Sequence, residues 1–220
     1  MLERDAYFRR WADLHGGYDP SESALSRRWL SAVYAVARPC HAVPPAAVTV
    51  AGLGAAVAVP LLVAPSGDHF LLAAAIAAVL SGFLDSLDGA VAIGTGRDTP
   101  LGYVLDSVAD RLADSAYVVA LWLLGAPGWL CVVAGAVAAL AEYARARAGA
   151  AGLRDIAVVT VFERPTRVIL AAALLIGAAA LPGQDAIVAT VGAGAWALFG
   201  AVGVAQLLIA ARRILGTTTG

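Results

Sequence analysis

Beyond residue 44 the chain is a succession of long apolar runs separated by short breaks. The breaks read APSGDH, GTGRDTP, GAPG, AGLRDIAVVTVFERP and LPGQD, and they leave apolar stretches at 46–64, 70–92, 101–124, 127–149, 166–182 and 186–210. A helix of about 20 apolar residues crosses the hydrocarbon of a bilayer, so the pattern predicts six transmembrane helices. The second run is apolar only to Leu84, so its far end must face protein or a water-filled cavity. Residues 1–44 are polar to amphipathic instead. Within SESALSRRWLSAVYAVARPC, Leu25, Trp29, Leu30, Val33, Tyr34 and Ala37 recur at helical spacing, with Arg27, Arg28 and Arg38 opposite or flanking. That pattern predicts an amphipathic helix lying on the membrane surface or on the protein itself. The expected class is therefore an all-α integral membrane protein with an amphipathic segment at 1–44, a six-helix membrane domain at 45–212 and a loose tail at 213–220.

Composition supports this class. Of the 220 residues 60% are hydrophobic, and mean hydropathy is +0.79. Soluble domains run nearer 45–50% apolar. A net charge of −1 gives no basic excess of the kind nucleic-acid binding needs. The opening MLERDAYFRRWADLHGGYDP is charged and lacks an apolar stretch, so no cleavable signal peptide is expected. Cys40 and Cys131 read as packing residues, not as a disulfide or metal framework, and His15, His41 and His69 as scattered surface or interfacial residues. All 15 basic residues are arginine, and they fall at one predicted membrane face; the turns near 65, 126 and 183 carry none. The positive-inside rule makes the arginine face cytoplasmic, with both termini on the cytoplasmic side of the cell membrane.

The same face carries the unusual feature, FLDSLDGAVAIGTGRDTPLGYVLDSVADRLAD, with six aspartates. Asp85 and Asp88 are three apart at the end of the second run, and Asp106 and Asp110 four apart at the start of the third. Both spacings place side chains on one helix face. Carboxylates so placed repel one another and are costly to desolvate, so a cation is expected between them. Hard divalent ions, Mg²⁺ or Mn²⁺, suit oxygen ligands, and two such ions suit displacement at phosphorus. Gly89, Ala92 and Gly102 would let a nucleotide or phosphate approach the helix backbones closely. Helix capping, pairing with Arg97 and Arg111, and a proton relay in a transporter are the competing readings. Asp98 reads as a loop or cap residue, and Asp114 continues the Asp106–Asp110 stripe one turn deeper.

The spacing D-x2-D-G-x2-A-x9-G-x3-D-x3-D, from Asp85 through Asp88, Gly89, Ala92, Gly102 and Asp106 to Asp110, resembles the CDP-alcohol phosphotransferase family. Ile93 stands where that family has arginine, with Arg97 in the same loop as the candidate substitute. PAAVTVAG keeps Pro45, Thr49 and Gly52 of a second family motif, with Ala46 in place of its asparagine. The resemblance implies six membrane helices with a cytoplasmic site, attack of an alcohol on the β-phosphate of a CDP-linked lipid such as CDP-diacylglycerol, and release of CMP. It implies that Asp85, Asp88, Asp106 and Asp110 hold two divalent ions and that Asp110 is the general base. It also places Thr49, Asp85, Gly89, Ala92, Gly102 and Asp106 at the nucleotide. The family habit of dimerising carries over as an expectation, consistent with small-residue runs such as GAGAWALFGAVG.

A second constellation spans EYARARAGAAGLRDIAVVTVFERPTRV. Arg145, Arg147, Arg164 and Arg167 bracket the expected mouth of the site, and arginine grips phosphate with two parallel hydrogen bonds. They read as an acceptor pocket, against dipole compensation or membrane anchoring. The stretch is similar to bacterial phosphatidylinositol-phosphate synthases, with Arg145 where those have lysine and Glu142 where they commonly have serine. A glutamate there suits a phosphorylated acceptor poorly. The acceptor therefore stays open among inositol phosphate, glycerol phosphate, phosphatidylglycerol and other polyols. An ion- or proton-coupled transporter, and a CDP-lipid-binding member without turnover, are the alternative functions.

Overall fold

The computed structural model describes residues 1–14, 24–64, 68–151 and 160–215. Among them the chain forms eight helices, α1 (Arg4–Leu14), α2 (Ala24–Ala37), α3 (Pro45–Val63), α4 (Asp68–Thr95), α5 (Pro100–Leu123), α6 (Gly128–Ala150), α7 (Arg164–Ala180) and α8 (Asp185–Leu215). The six from α3 onward match the six apolar runs. Two expectations change at the ends. Residues 213–215 belong to α8, not to a tail, and α1 was not foreseen. Residues 216–220, His15 and the Arg154 loop lie outside the described residues.

Four helices, α3, α4, α6 and α8, are long and apolar enough to cross a membrane. The other two fall short for local reasons. α7 has 17 residues, and α5 carries Asp106, Asp110, Arg111 and Asp114.

The breaks act through specific backbone devices. Gly96 takes a positive φ of 67°, and the amides of Gly96 and Arg97 return to the carbonyls of Ile93 and Ala92. This is a Schellman stop, which glycine permits without a Cβ clash. Three residues later Thr99 caps α5, its hydroxyl accepting from the Gly102 amide at 3.0 Å, with Pro100 in the first turn. GTGRDTP thus ends one acidic helix and starts the next within a few residues.

The helices do not pair as the short loop suggests. α4 and α5 touch only sparsely, while α3 packs along both and α7 packs on α4. A cleft is left between the acidic ends of α4 and α5. The core deeper in the bundle is lined by small and aromatic residues, with Trp196 fully buried between Phe162 and Tyr117 at ring separations of 5.3 and 6.3 Å. A second cluster holds Tyr7, Val33, Ala37, Leu87, Val91 and Ile93, joining α1 and α2 to α4. α2 therefore packs one face on the protein, and Trp29 donates from Nε1 to Ser86 Oγ at 3.3 Å. Burial raises the Tyr7 hydroxyl to a pKa of about 12.

Close helix contact depends on glycine at few places. A Cβ on Gly82 would lie 2.9 Å from both Cγ atoms of Val168, whereas one on Gly54 would meet nothing within 4 Å. Val168 is β-branched and stiff at χ1, so α4 and α7 would have to separate. Gly82→Ala should lower unfolding free energy by about 1–3 kcal/mol, while Gly54→Ala should not. Thermal unfolding in detergent checks this, and Val168→Ala should restore part of the loss in Gly82→Ala.

Candidate active site

Helix spacing and the cleft bring three of the four predicted aspartates together. Carboxylate oxygens of Asp85, Asp106 and Asp110 lie within 4.8 Å of one another. Asp88 is one turn further along α4 and only 5% exposed. Thr49 and Gly52 of α3 line the same cleft beside Asp85, Asp88 and Arg164. A Cβ on Gly89 would meet nothing within 4 Å, so open space adjoins the backbone next to Asp88. Gly102 has a different duty. Its amide completes the Thr99 cap, and a Cβ there would stand 3.1 Å from the Thr99 hydroxyl. Ala92 is half-buried, and its carbonyl accepts the Schellman bond from Arg97.

Three of the four arginines expected at the acceptor are paired with carboxylates in the structure. Arg164 lies between the two acidic helices, with Nη1 2.5 Å from Asp110 Oδ1 and Nη2 3.5 Å from Asp85 Oδ1. It also donates to the Asp110 carbonyl at 3.2 Å. Arg167 is 2% exposed and pairs with Asp114 at 2.7 Å and Glu142 at 3.0 Å, over the Phe162 ring. Arg111 meets Glu142 at 3.0 Å, Asp114 at 3.3 Å and Asp110 at 3.6 Å. Arg145 reaches Glu163 at 2.6 Å and Glu142 at 3.8 Å. Glu163 is held by the amide and hydroxyl of Thr160, at 2.8 and 2.7 Å. Arg147 is exposed and stands outside this chain of pairs.

The pairs form one alternating path from Asp85 through Arg164, Asp110, Arg111, Asp114, Arg167, Glu142 and Arg145 to Glu163. Sequence reasoning named its arginines but read three of them as phosphate ligands, and it did not assign Glu163. The available signal for Asp114 was its place four residues beyond Asp110. For Glu163 the only local signal was Thr160 three residues before it, since its other partner, Arg145, arrives from α6.

Arg97 is also occupied. Its guanidinium donates to the carbonyls of His41 and Val43, the latter at 3.0 Å, and its Nε donates to Thr95 Oγ1 at 2.9 Å. It clasps the segment after α2. Ile93 itself is 8% exposed in the α1–α2–α4 cluster.

A divalent cation fits the aspartate end. Asp88 Oδ2 and Asp106 Oδ1 are buried without a hydrogen-bond partner among the described residues. Buried oxygens normally find a partner, and an unpaired buried carboxylate is costly. The donor set is all oxygen, as hard cations require.

Residues 42–212 match the family model described as CDP-alcohol phosphatidyltransferase. The chain is 36% identical over 136 residues to a phosphatidylinositol phosphate synthase of Mycobacteroides abscessus, covering 57% of this chain and 59% of that relative. It is 37% identical over 103 residues to an archaetidylinositol phosphate synthase of Aeropyrum pernix, covering 46% and 50%. The match thus spans about half to three-fifths of the length of these relatives. The crystal structure of a Mycobacterium tuberculosis phosphatidylinositol phosphate synthase with CDP-DAG bound superposes with a TM-score of 0.65 at 27% identity, over 82% of this chain and 93% of that one. These likenesses favour the transferase reading over the transporter.

The buried pair yields a stability test. Arg167→Met leaves Asp114 with Arg111 alone, and removing one partner of a buried pair costs about 3–5 kcal/mol. Adding Asp114→Asn should recover part of that loss. A double-mutant cycle by thermal unfolding reads the coupling, and additive losses would show the pair to be unimportant.

Proposed function

Because this chain belongs to the CDP-alcohol phosphatidyltransferase family, we propose that it transfers a phosphatidyl group from a CDP-linked lipid, such as CDP-diacylglycerol, to the hydroxyl of an alcohol acceptor, releasing CMP. The observation that carries this reading is the convergence of Asp85, Asp106 and Asp110 within 4.8 Å, beside the orphaned oxygens of Asp88 and Asp106.

Asp85, Asp88, Asp106 and Asp110 would hold two divalent ions, Mg²⁺ or Mn²⁺. Such ions, when bound, neutralise the donor diphosphate and the departing CMP. The chain supplies the rest. Thr49 and the open backbone at Gly89 admit the nucleotide, with Asp85, Ala92, Gly102 and Asp106 around it. Asp110 takes the proton from the acceptor hydroxyl as its oxygen bonds to the lipid-bearing phosphorus and the bond to CMP breaks. Arg111 and Arg164, at 3.6 and 2.5 Å from the Asp110 carboxylate, hold it in place. Arg145 and Arg167 border the acceptor side.

All six helices from α3 to α8 span the cell membrane in this reading, as the catalytic domain 45–212. The support is an apolar outer belt that includes the two helices with weaker span signals, at Val108 and Leu112 of α5 and Ile169 and Ile176 of α7, each at least half exposed. The one-sided arginines support a site and both termini at the cytoplasmic face. α2 would lie at that face, with Trp29 and Val36 about two-fifths exposed for the interface. A homodimer belongs to the same reading.

Purified protein should release CMP from CDP-diacylglycerol when Mg²⁺ or Mn²⁺ and a suitable alcohol are present, and chelation should stop it. Asp110→Asn should lower the rate by about 10²–10⁴-fold while Mn²⁺ binding, followed by electron paramagnetic resonance, largely persists. Unchanged turnover in Asp110→Asn would refute the base assignment. Absence of metal-dependent release with every acceptor would refute the transferase.

A further inference from the structure

The ion-pair path divides into two lobes of different charge. One holds Asp85, Asp88, Asp106 and Asp110 against Arg164 and is strongly negative. The other holds Arg111, Arg145 and Arg167 against Asp114, Glu142 and Glu163. The second lobe is electroneutral among the described residues. The lobes meet where Arg111 lies 3.6 Å from Asp110, so the neutral lobe flanks the proposed base.

Glu142 is the hub of the neutral lobe. Its carboxylate meets all three guanidiniums, Arg111 and Arg167 at 3.0 Å each through Oε1 and Arg145 at 3.8 Å through Oε2. The other two acids are tied down elsewhere. Asp114 is 5% exposed beneath Arg167, and Glu163 is held by Thr160 and Arg145. An acceptor phosphate carries about 1.5–2 negative charges. To reach Arg111 and Arg167 it would have to displace Glu142, leaving that carboxylate unpaired in a half-buried site. Both changes are unfavourable where the dielectric is low. Neutral hydroxyls carry no such penalty, and they can accept from guanidinium and donate to carboxylate.

We propose that Glu142 is a built-in anion on the acceptor side, and that it makes this chain select an uncharged polyol over the phosphate monoester of that polyol. The inference rests on the transferase reading and sharpens its acceptor class. It separates this chain from relatives named for phosphate-bearing products.

The test compares glycerol and myo-inositol with glycerol 3-phosphate and inositol 1-phosphate as acceptors, reading CMP release from CDP-diacylglycerol. Wild type should favour the plain polyols by at least about tenfold in kcat/KM, about 1.4 kcal/mol. Glu142→Gln should shift that ratio at least about tenfold toward the esters, chiefly through their KM, and Glu142→Asp should not. Inorganic phosphate should raise the Tm of Glu142→Gln and leave wild type unmoved. A wild-type preference for the esters overturns the proposal, as does an unchanged ratio in Glu142→Gln. Should Glu142→Gln fail to fold, the wild-type preference decides alone. If wild-type protein that binds CDP-diacylglycerol releases no CMP with any acceptor, the transferase reading fails. The phosphate-dependent Tm then still decides the role of Glu142, since it needs no turnover. A phosphate response equal in wild type and variant overturns it.

Discussion

The structure depends on how carboxylates are neutralised at one end of a largely apolar bundle. Seven acids, Asp85, Asp88, Asp106, Asp110, Asp114, Glu142 and Glu163, gather there, and all but Asp88 and Asp106 pair with arginines 111, 145, 164 and 167. Near hydrocarbon no water is at hand to solvate a lone ion, so each charge must find a partner or a bound cation. The arginines satisfy the deeper acids and leave the negative excess at the mouth between α4 and α5. Buried ion pairs are poor evidence for stability in themselves. Here they serve position, because each guanidinium ties its own helix to another segment of the chain.

That excess lies where the helix geometry leaves a cleft. Had α4 and α5 packed along their length, the carboxylates would face one another without room for a ligand. α3 keeps them apart by packing on both, and α7 contributes Arg164 between them. The turn from Gly96 to Pro100 sets where each acidic stripe begins. Loop chemistry, helix spacing and electrostatics therefore act together, and none alone would build the site.

The N-terminal segment reaches the same end of the bundle by apolar contact. Tyr7 packs at 5.2 Å from Tyr34, whose hydroxyl donates to the Leu2 carbonyl at 2.8 Å. Ile93 joins this cluster. An arginine at position 93 would put a guanidinium against these rings, so the isoleucine belongs with the packing of α1 and α2 on α4. Arg97 clasps the chain at His41 and Val43 beside it. The departure from the family motif is thus one of local architecture near the acidic end of α4.

The sequence by itself determined the helices, because apolar runs and glycine or proline breaks are local signals with the period and length of their elements. It also determined the aspartate set, since three- and four-residue spacings fix a common face on any helix. Through the motif they complete it also singled out Asp85, Asp88, Asp106 and Asp110, of which Asp85, Asp106 and Asp110 converge in the structure. Only the tertiary structure decided which carboxylates the arginines pair with. Arg145, Arg164 and Arg167 look like free phosphate ligands along the chain, yet Glu163, Asp110, Asp114 and Glu142 already hold them. Their partners come from helices distant in sequence, and an ion pair between such residues has no period to read. For the same reason the packing of α1, the placement of Arg97 and the sparse contact of α4 with α5 were not legible. Each is settled by which helix stands beside which, a property of the packed bundle.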